Sequence, residues 1–177
     1  MRTLLKATLA RAYAAGGGLR RLHGGKLVIL TFHRVRPGGE DARTRAMRSL
    51  DAAVPDFRAL LAWLRARYEP VALRDWLGRG TAPARPAFAV TFDDGWADNY
   101  EHAFPVLREL GIPATIFLAT GAVEERLPFW WQMPGLTDSE IENLKHHSHR
   151  WLEARLAQSP EFRQQHDGDF LTWDQVR

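Results

Sequence analysis

The clearest pattern of apolar and polar positions lies in Ala87-Phe88-Ala89-Val90-Thr91-Phe92, where large apolar side chains alternate with small ones. A period of two in a short β-prone run, placed after Pro83 and Pro86, predicts a buried strand. The run leads straight into Asp93-Asp94-Gly95-Trp96, so the strand delivers two adjacent carboxylates to a turn. Leu27-Val28-Ile29-Leu30-Thr31-Phe32 is nearly all apolar, which predicts a strand buried on both faces and ended by His33. Pro70-Val71-Ala72-Leu73 and Ala114-Thr115-Ile116-Phe117-Leu118 are two further strands. Helical spacing fills the intervals. Phe57, Leu60, Leu61 and Leu64 predict a helix over 56–68 that starts at Asp56, and residues 74–77 a helical turn ended by Gly78 and Gly80. Tyr100, Phe104, Leu107 and Leu110 form another stripe. Asp98-Asn99-Tyr100-Glu101 heads it with capping-box spacing, Pro105 should bend or restart it, and Gly111 should end it in a left-handed conformation. Alternating strands and helices argue for parallel strands with outer helices.

After Gly121 this rhythm stops. Phe129-Trp130-Trp131 is an aromatic cluster that suits packing beside a helix or, alternatively, a platform for sugar rings. Thr137-Asp138-Ser139-Glu140 has capping-box spacing, with Leu136 and Ile141 as a hydrophobic staple. It predicts a helix to about His147, followed by another around Trp151, Leu152 and Leu156. At the other end, residues 1–22 read as a basic amphipathic helix with Leu4, Leu5, Leu9 and Tyr13 roughly on one side. Glycine joints at 16–18 and 24–25 follow. Lys6 and Arg11 break the apolar run that a secretory signal needs. A helix that covers one end of the domain, or lies weakly on an anionic membrane surface, fits equally well.

Composition narrows the chemistry. The 177 residues suit one domain, and with no cysteine there are neither disulfides nor thiolate metal sites. Any metal must therefore rest on Asp, Glu, His or water. No run approaches the roughly 18 apolar residues of a membrane span. The net charge of +3 hides an asymmetry, because residues 1–48 hold eleven Lys and Arg against Glu40 and Asp41. Residues 34–51, rich in Arg around Pro37-Gly38-Gly39, read as a solvated loop. Nucleic acid is not an expected partner, since base-stacking aromatics are absent there. No glycine run has the spacing of a phosphate-cradling loop, which argues against a phosphotransferase.

The two carboxylates carry the functional question. Their mutual repulsion is relieved by a divalent cation or a shared proton, and catalytic sites use both; solvated side chains in an Asx-type turn are the plainer alternative. His33 ends a neighbouring strand, where it can serve a site or simply cap a carbonyl. Thr91-Phe92-Asp93-Asp94-Gly95 resembles the first signature of the polysaccharide deacetylases, the NodB-like carbohydrate esterases. Leu30-Thr31-Phe32-His33-Arg34-Val35 resembles that family's first-strand segment, and Gly111-Ile112-Pro113-Ala114-Thr115-Ile116-Phe117-Leu118 its following strand. The resemblance spans about residues 27–121, and returns at Leu171-Thr172-Trp173-Asp174-Gln175-Val176-Arg177.

The resemblance implies an α/β fold: a partial TIM-like (β/α) barrel of the NodB type, truncated after about four strands. Residues 1–26 would form a basic N-terminal helix and joint, and 27–177 an incomplete deacetylase domain with a helical insertion at about 122–170. The implied activity is metal-dependent hydrolysis of acetyl groups on an N-acetylated or O-acetylated polysaccharide, with this chain alone expected to be inactive. Alternatives are a carbohydrate-binding or membrane-surface remnant without catalysis. Asp93 would be the general base, Asp94 the ligand of a divalent metal (zinc, or else cobalt, manganese or nickel), and His33 and Trp96 would line the substrate pocket. The family's metal histidines, two positions about four apart, have no counterpart here. His146, His147 and His149 do not have that spacing, and read as a solvated helix end. The expected location is cytoplasmic or membrane-peripheral.

Overall fold

A computed structural model of the chain describes residues 16–38, 51–78, 85–125, 128–132, 137, 139, 164 and 168–176. At its centre is β5, Ala87–Asp94, with Ala87 through Phe92 all buried. Strand β1, Leu27–Phe32, pairs with β5 in parallel, from Leu27 opposite Ala87 to Phe32 opposite Phe92. Two strands share the other edge. The two-residue β4, Glu69–Pro70, pairs with the start of β5, and β6, Ala114–Leu118, pairs with its end from Val90 to Asp94. Every pairing in this sheet is parallel, so all its strands deliver their C-terminal ends to one side. That side holds the site.

The alternation in β5 sorts its side chains between two layers. Phe88, Val90 and Phe92 enter the main core with Phe57, Leu61 and Leu64 from one helix and Val106 and Leu107 from another. Each of the three strand residues is almost completely buried, which contributes on the order of 1.5–3 kcal/mol apiece. Ala87 and Ala89 point the other way and pack with Val71, Leu27, Leu73 and Trp76. The covering helices are α2, Val54–Arg65, and α4, Phe104–Leu110; before them, α1 spans Gly18–His23 and, between them, α3 spans Leu73–Leu77.

Several expectations need correction. Strand β1 is not buried on both faces. Val28, Leu30 and Phe32 reach the core, but Ile29 is 50% exposed, because among the described residues only the helix-bearing face of β1 is well covered. The Arg-rich stretch after His33 is not all loop: β2, Arg34–Arg36, pairs in parallel with β3, Asp51–Ala53. Helix α2 starts at Val54 rather than Asp56, since Pro55 suits the first turn, where its missing N–H costs nothing. The predicted capping box at Asp98 does not form. A π-helical turn, Asn99–Ala103, precedes α4, which starts afresh around Pro105.

Other signals held. Gly111, at φ 62°, closes α4 with Ile112 N–H donating to Leu107 O and Gly111 N–H to Arg108 O, a Schellman closure. Thr172 and Gln175 make both bonds of a capping box at the head of helix α6, Trp173–Val176. Helix α5, Thr120–Glu125, starts two residues before the expected insertion at 122–170, and a 3₁₀ turn, Trp130–Gln132, lies within those bounds. Most of that insertion, its predicted helices, His146, His147 and His149, and residues 1–15 of the N-terminal helix lie outside the described residues. Among the described residues, no helix is long and apolar enough to cross a membrane.

Candidate active site

The site begins where β5 leaves the sheet. Asp94 has φ 75° and Gly95 φ 82°, so two consecutive left-handed residues swing the chain off the strand. Asp accepts that conformation better than most side chains, and Gly accepts it freely. Gly95 is required for space as well. A Cβ there would sit 2.8 Å from Cδ2 of Leu118. Backbone bonds lock the turn: Ala119 N–H donates to Asp94 O at 3.2 Å, Leu171 N–H to Gly95 O at 2.9 Å, and Ala97 N–H to Asp169 O at 2.8 Å. The segment around Phe170 thus braces the turn, with Trp96 and Phe170 forming an antiparallel bridge.

The parallel register between β1 and β5 sets His33 beside this turn. Its Nε2 lies 3.8 Å from Oδ2 of Asp93, with the two side chains 31% and 38% exposed. That separation is beyond a direct hydrogen bond and suits one bridging water. Imidazole and carboxylate so placed can hold a proton between them or pass it to a third group.

Asp94 has different surroundings. Trp96 Nε1–H donates to its Oδ2 at 3.0 Å. The indole is 2% exposed, with the Arg34 guanidinium 4.0 Å above its ring, Phe170 stacked on it at 5.0 Å and Phe129 edge-on at 5.3 Å. Trp96 therefore offers no open face to a sugar, and the expectation that it lines substrate gives way to a supporting position. Arg34 is fixed in turn, its Nε–H donating to Oδ2 of Asp98 at 2.6 Å, while the Val35 N–H donates to Oδ1 at 3.2 Å. Burial pushes the Asp98 carboxyl up from its ordinary value; Arg34 and the Val35 N–H pull it down without cancelling that rise. The Phe129–Trp131 pair is stacked at 4.4 Å, and Phe129 is spent on packing against Trp96 and Phe170.

The structure thus brings together Asp93, Asp94, His33 and Trp96, and adds Arg34 and Asp98. The sequence pattern predicts Arg34 in a loop and Asp98 at a helix cap. Nothing periodic links two residues 64 positions apart, so only the fold reveals the pair. As for a metal, among the described residues no three Asp, Glu, His or Cys side chains cluster to hold one. Asp94 supplies one hard oxygen donor, suited to a divalent cation, with Oδ1 free of hydrogen bonds among the described residues while Oδ2 is anchored. The donor set fits as part of a site.

Residues 80–169 match the family model for polysaccharide deacetylases. The chain is 33% identical over 97 residues to YxkH of Bacillus subtilis, provisionally named a polysaccharide deacetylase; the match covers 52% of this chain and 32% of that protein. It is 28% identical over 109 residues to the poly-β-1,6-N-acetyl-D-glucosamine N-deacetylase of Staphylococcus aureus, covering 55% of this chain and 37% of the relative. The chain thus spans about a third of the length of these relatives. Among solved structures, a de-N-acetylase from Aggregatibacter actinomycetemcomitans superimposes with TM-score 0.55 at 19% identity, over 85% of this chain and 49% of that one, which is a likeness of fold.

Proposed function

The chain belongs to the polysaccharide deacetylase family, and from that premise we propose that it supplies the acid–base end of a hydrolase that removes acetyl groups from an N-acetylated polysaccharide. The observation that carries this reading is the placement of His33 against Asp93, beside an Asp94 already anchored from behind. A polymer of β-1,6-linked N-acetylglucosamine, for which the S. aureus relative is named, is the first substrate to offer. Asp93 takes a proton from the attacking water as the water oxygen bonds to the acetyl carbonyl carbon. The carbon–nitrogen bond then breaks, acetate leaves, and the sugar nitrogen gains a proton. His33, next to Asp93, is placed to carry that proton across. Asp94 is assigned to a divalent cation, zinc first among the candidates, which when bound supplies Lewis-acid polarisation of the acyl carbonyl. Among the described residues no three Asp, Glu, His or Cys side chains cluster, so Asp94 is the one ligand assigned.

The test is acetate release from N-acetylglucosamine oligomers, by the 177-residue chain and by a longer form of the relatives' length. The longer form should turn over, and Asp93→Asn should slow it by about 10²- to 10⁴-fold, the usual worth of a general base. Near-normal turnover in Asp93→Asn would refute the assignment. The short chain, whose described residues hold no three-ligand cluster, should stay near background.

A further inference from the structure

We infer that Trp96 is a positioning residue that fixes the Asp94 carboxylate, and that the Arg34–Asp98 pair in turn fixes Trp96. The inference rests on the reading of Asp94 as a cation ligand, and extends it to residues that touch neither cation nor sugar. Asp94, the last residue of β5, has a left-handed conformation, so the regular pleat does not dictate where its side chain points. The bond from Trp96 Nε1–H then selects Oδ2 as the anchored oxygen and turns Oδ1 away from the indole. The indole can do this only if it is itself immobile. Arg34 achieves that in a way lysine could not, because its planar guanidinium lies over the ring while its Nε–H stays committed to Asp98. Asp98 is 6% exposed and also receives the Val35 N–H, so the anchor is tied to the backbone of β2.

The arrangement distributes work along one dipeptide. His33 faces Asp93, and the next residue, Arg34, reaches Asp94 through Trp96. A shift at the junction of β1 and β2 would therefore disturb both carboxylates together. Partners of metal ligands commonly matter about 10- to 100-fold in metal affinity.

The test uses the 177-residue chain with Trp96→Phe, Arg34→Met and Asp94→Ala, and two readouts. In the first, the indole N–H proton signal of Trp96 should move upfield in Asp94→Ala, and its exchange with solvent should quicken in Arg34→Met. An indole signal that ignores both changes overturns the inference. In the second, zinc alone is titrated against each variant. Trp96→Phe, which keeps an aromatic ring but removes the donor, should bind zinc about tenfold more weakly while keeping its melting temperature within a few degrees. A pure packing role would leave zinc affinity untouched, and unchanged affinity in Trp96→Phe alongside a loss in Asp94→Ala overturns the inference. Measurable but equal zinc binding in the wild type and Asp94→Ala would instead sink the reading of Asp94 as a ligand, and where zinc binding is too weak to measure the indole signal decides the positioning role by itself.

Discussion

Asp93 and Asp94 are adjacent in sequence and unlike in every other respect. Asp93 ends the regular strand, is about a third exposed, and meets His33 across a gap that a water can span. Asp94 is past the pleat at φ 75°, held by an indole that is held by an arginine that is held by a buried carboxylate. Asp93 is partly open with room for a water beside it, whereas Asp94 is hydrogen-bonded to a buried indole. Two identical side chains thus have unlike surroundings, and the difference traces to His33 and Arg34 at the junction of β1 and β2; on the proposed reading it would divide their roles.

The contrast breaks most severely at Asp98. Asp98→Ala would leave Arg34 and the Val35 N–H without their acceptor in a buried place, and should cost about 3 kcal/mol in urea unfolding. Asp98→Asn keeps an acceptor of the same shape and should cost far less. The same pair of variants reads the titration. The native carboxyl sits above its unfolded value, so between the two the folded state holds the extra proton. Wild-type stability should therefore fall as pH rises through that window, starting from the usual carboxylate value near 4. Asp98→Asn should lack that slope, and an identical slope in both proteins would contradict the stated burial effect.

A milder break is Gly95→Ala. The left-handed backbone and the 2.8 Å approach to Leu118 should cost about 1–2 kcal/mol, measured as a lower urea midpoint at unchanged slope. A neutral outcome would mean that the turn relaxes, and with it the fixed side of the comparison.

How far the sequence carried the account differs between local and distant features. The alternation of Phe88, Val90 and Phe92 sufficed to place β5, because a period of two has one meaning when both faces are buried. Gly111 and the Thr172–Gln175 box were legible for the same reason: each signal completes itself within a turn or so of chain. Asp98 misled because capping is a local rule, and its carboxylate was drawn to Arg34 by the fold. Trp96 is expected to line the substrate pocket, whereas in the fold its ring is buried and its Nε1–H meets Asp94, a placement no local pattern announces. The β2–β3 pair was missed because Arg34-Val35-Arg36 offers one apolar residue between two long cations, too little pattern to declare a strand.

The central claim is that Asp93 moves a proton while Asp94 holds a cation, and zinc affinity in Asp93→Asn and Asp94→Asn, measured side by side in a longer form of the relatives' length, addresses it most directly. Both substitutions keep shape and remove one charge, and Asn tolerates the left-handed backbone at 94 as well as Asp does. Asp93→Asn should bind zinc within about twofold of wild type, and Asp94→Asn more than about tenfold more weakly. Equal affinities in the two variants, or the larger loss in Asp93→Asn, would contradict the division of roles.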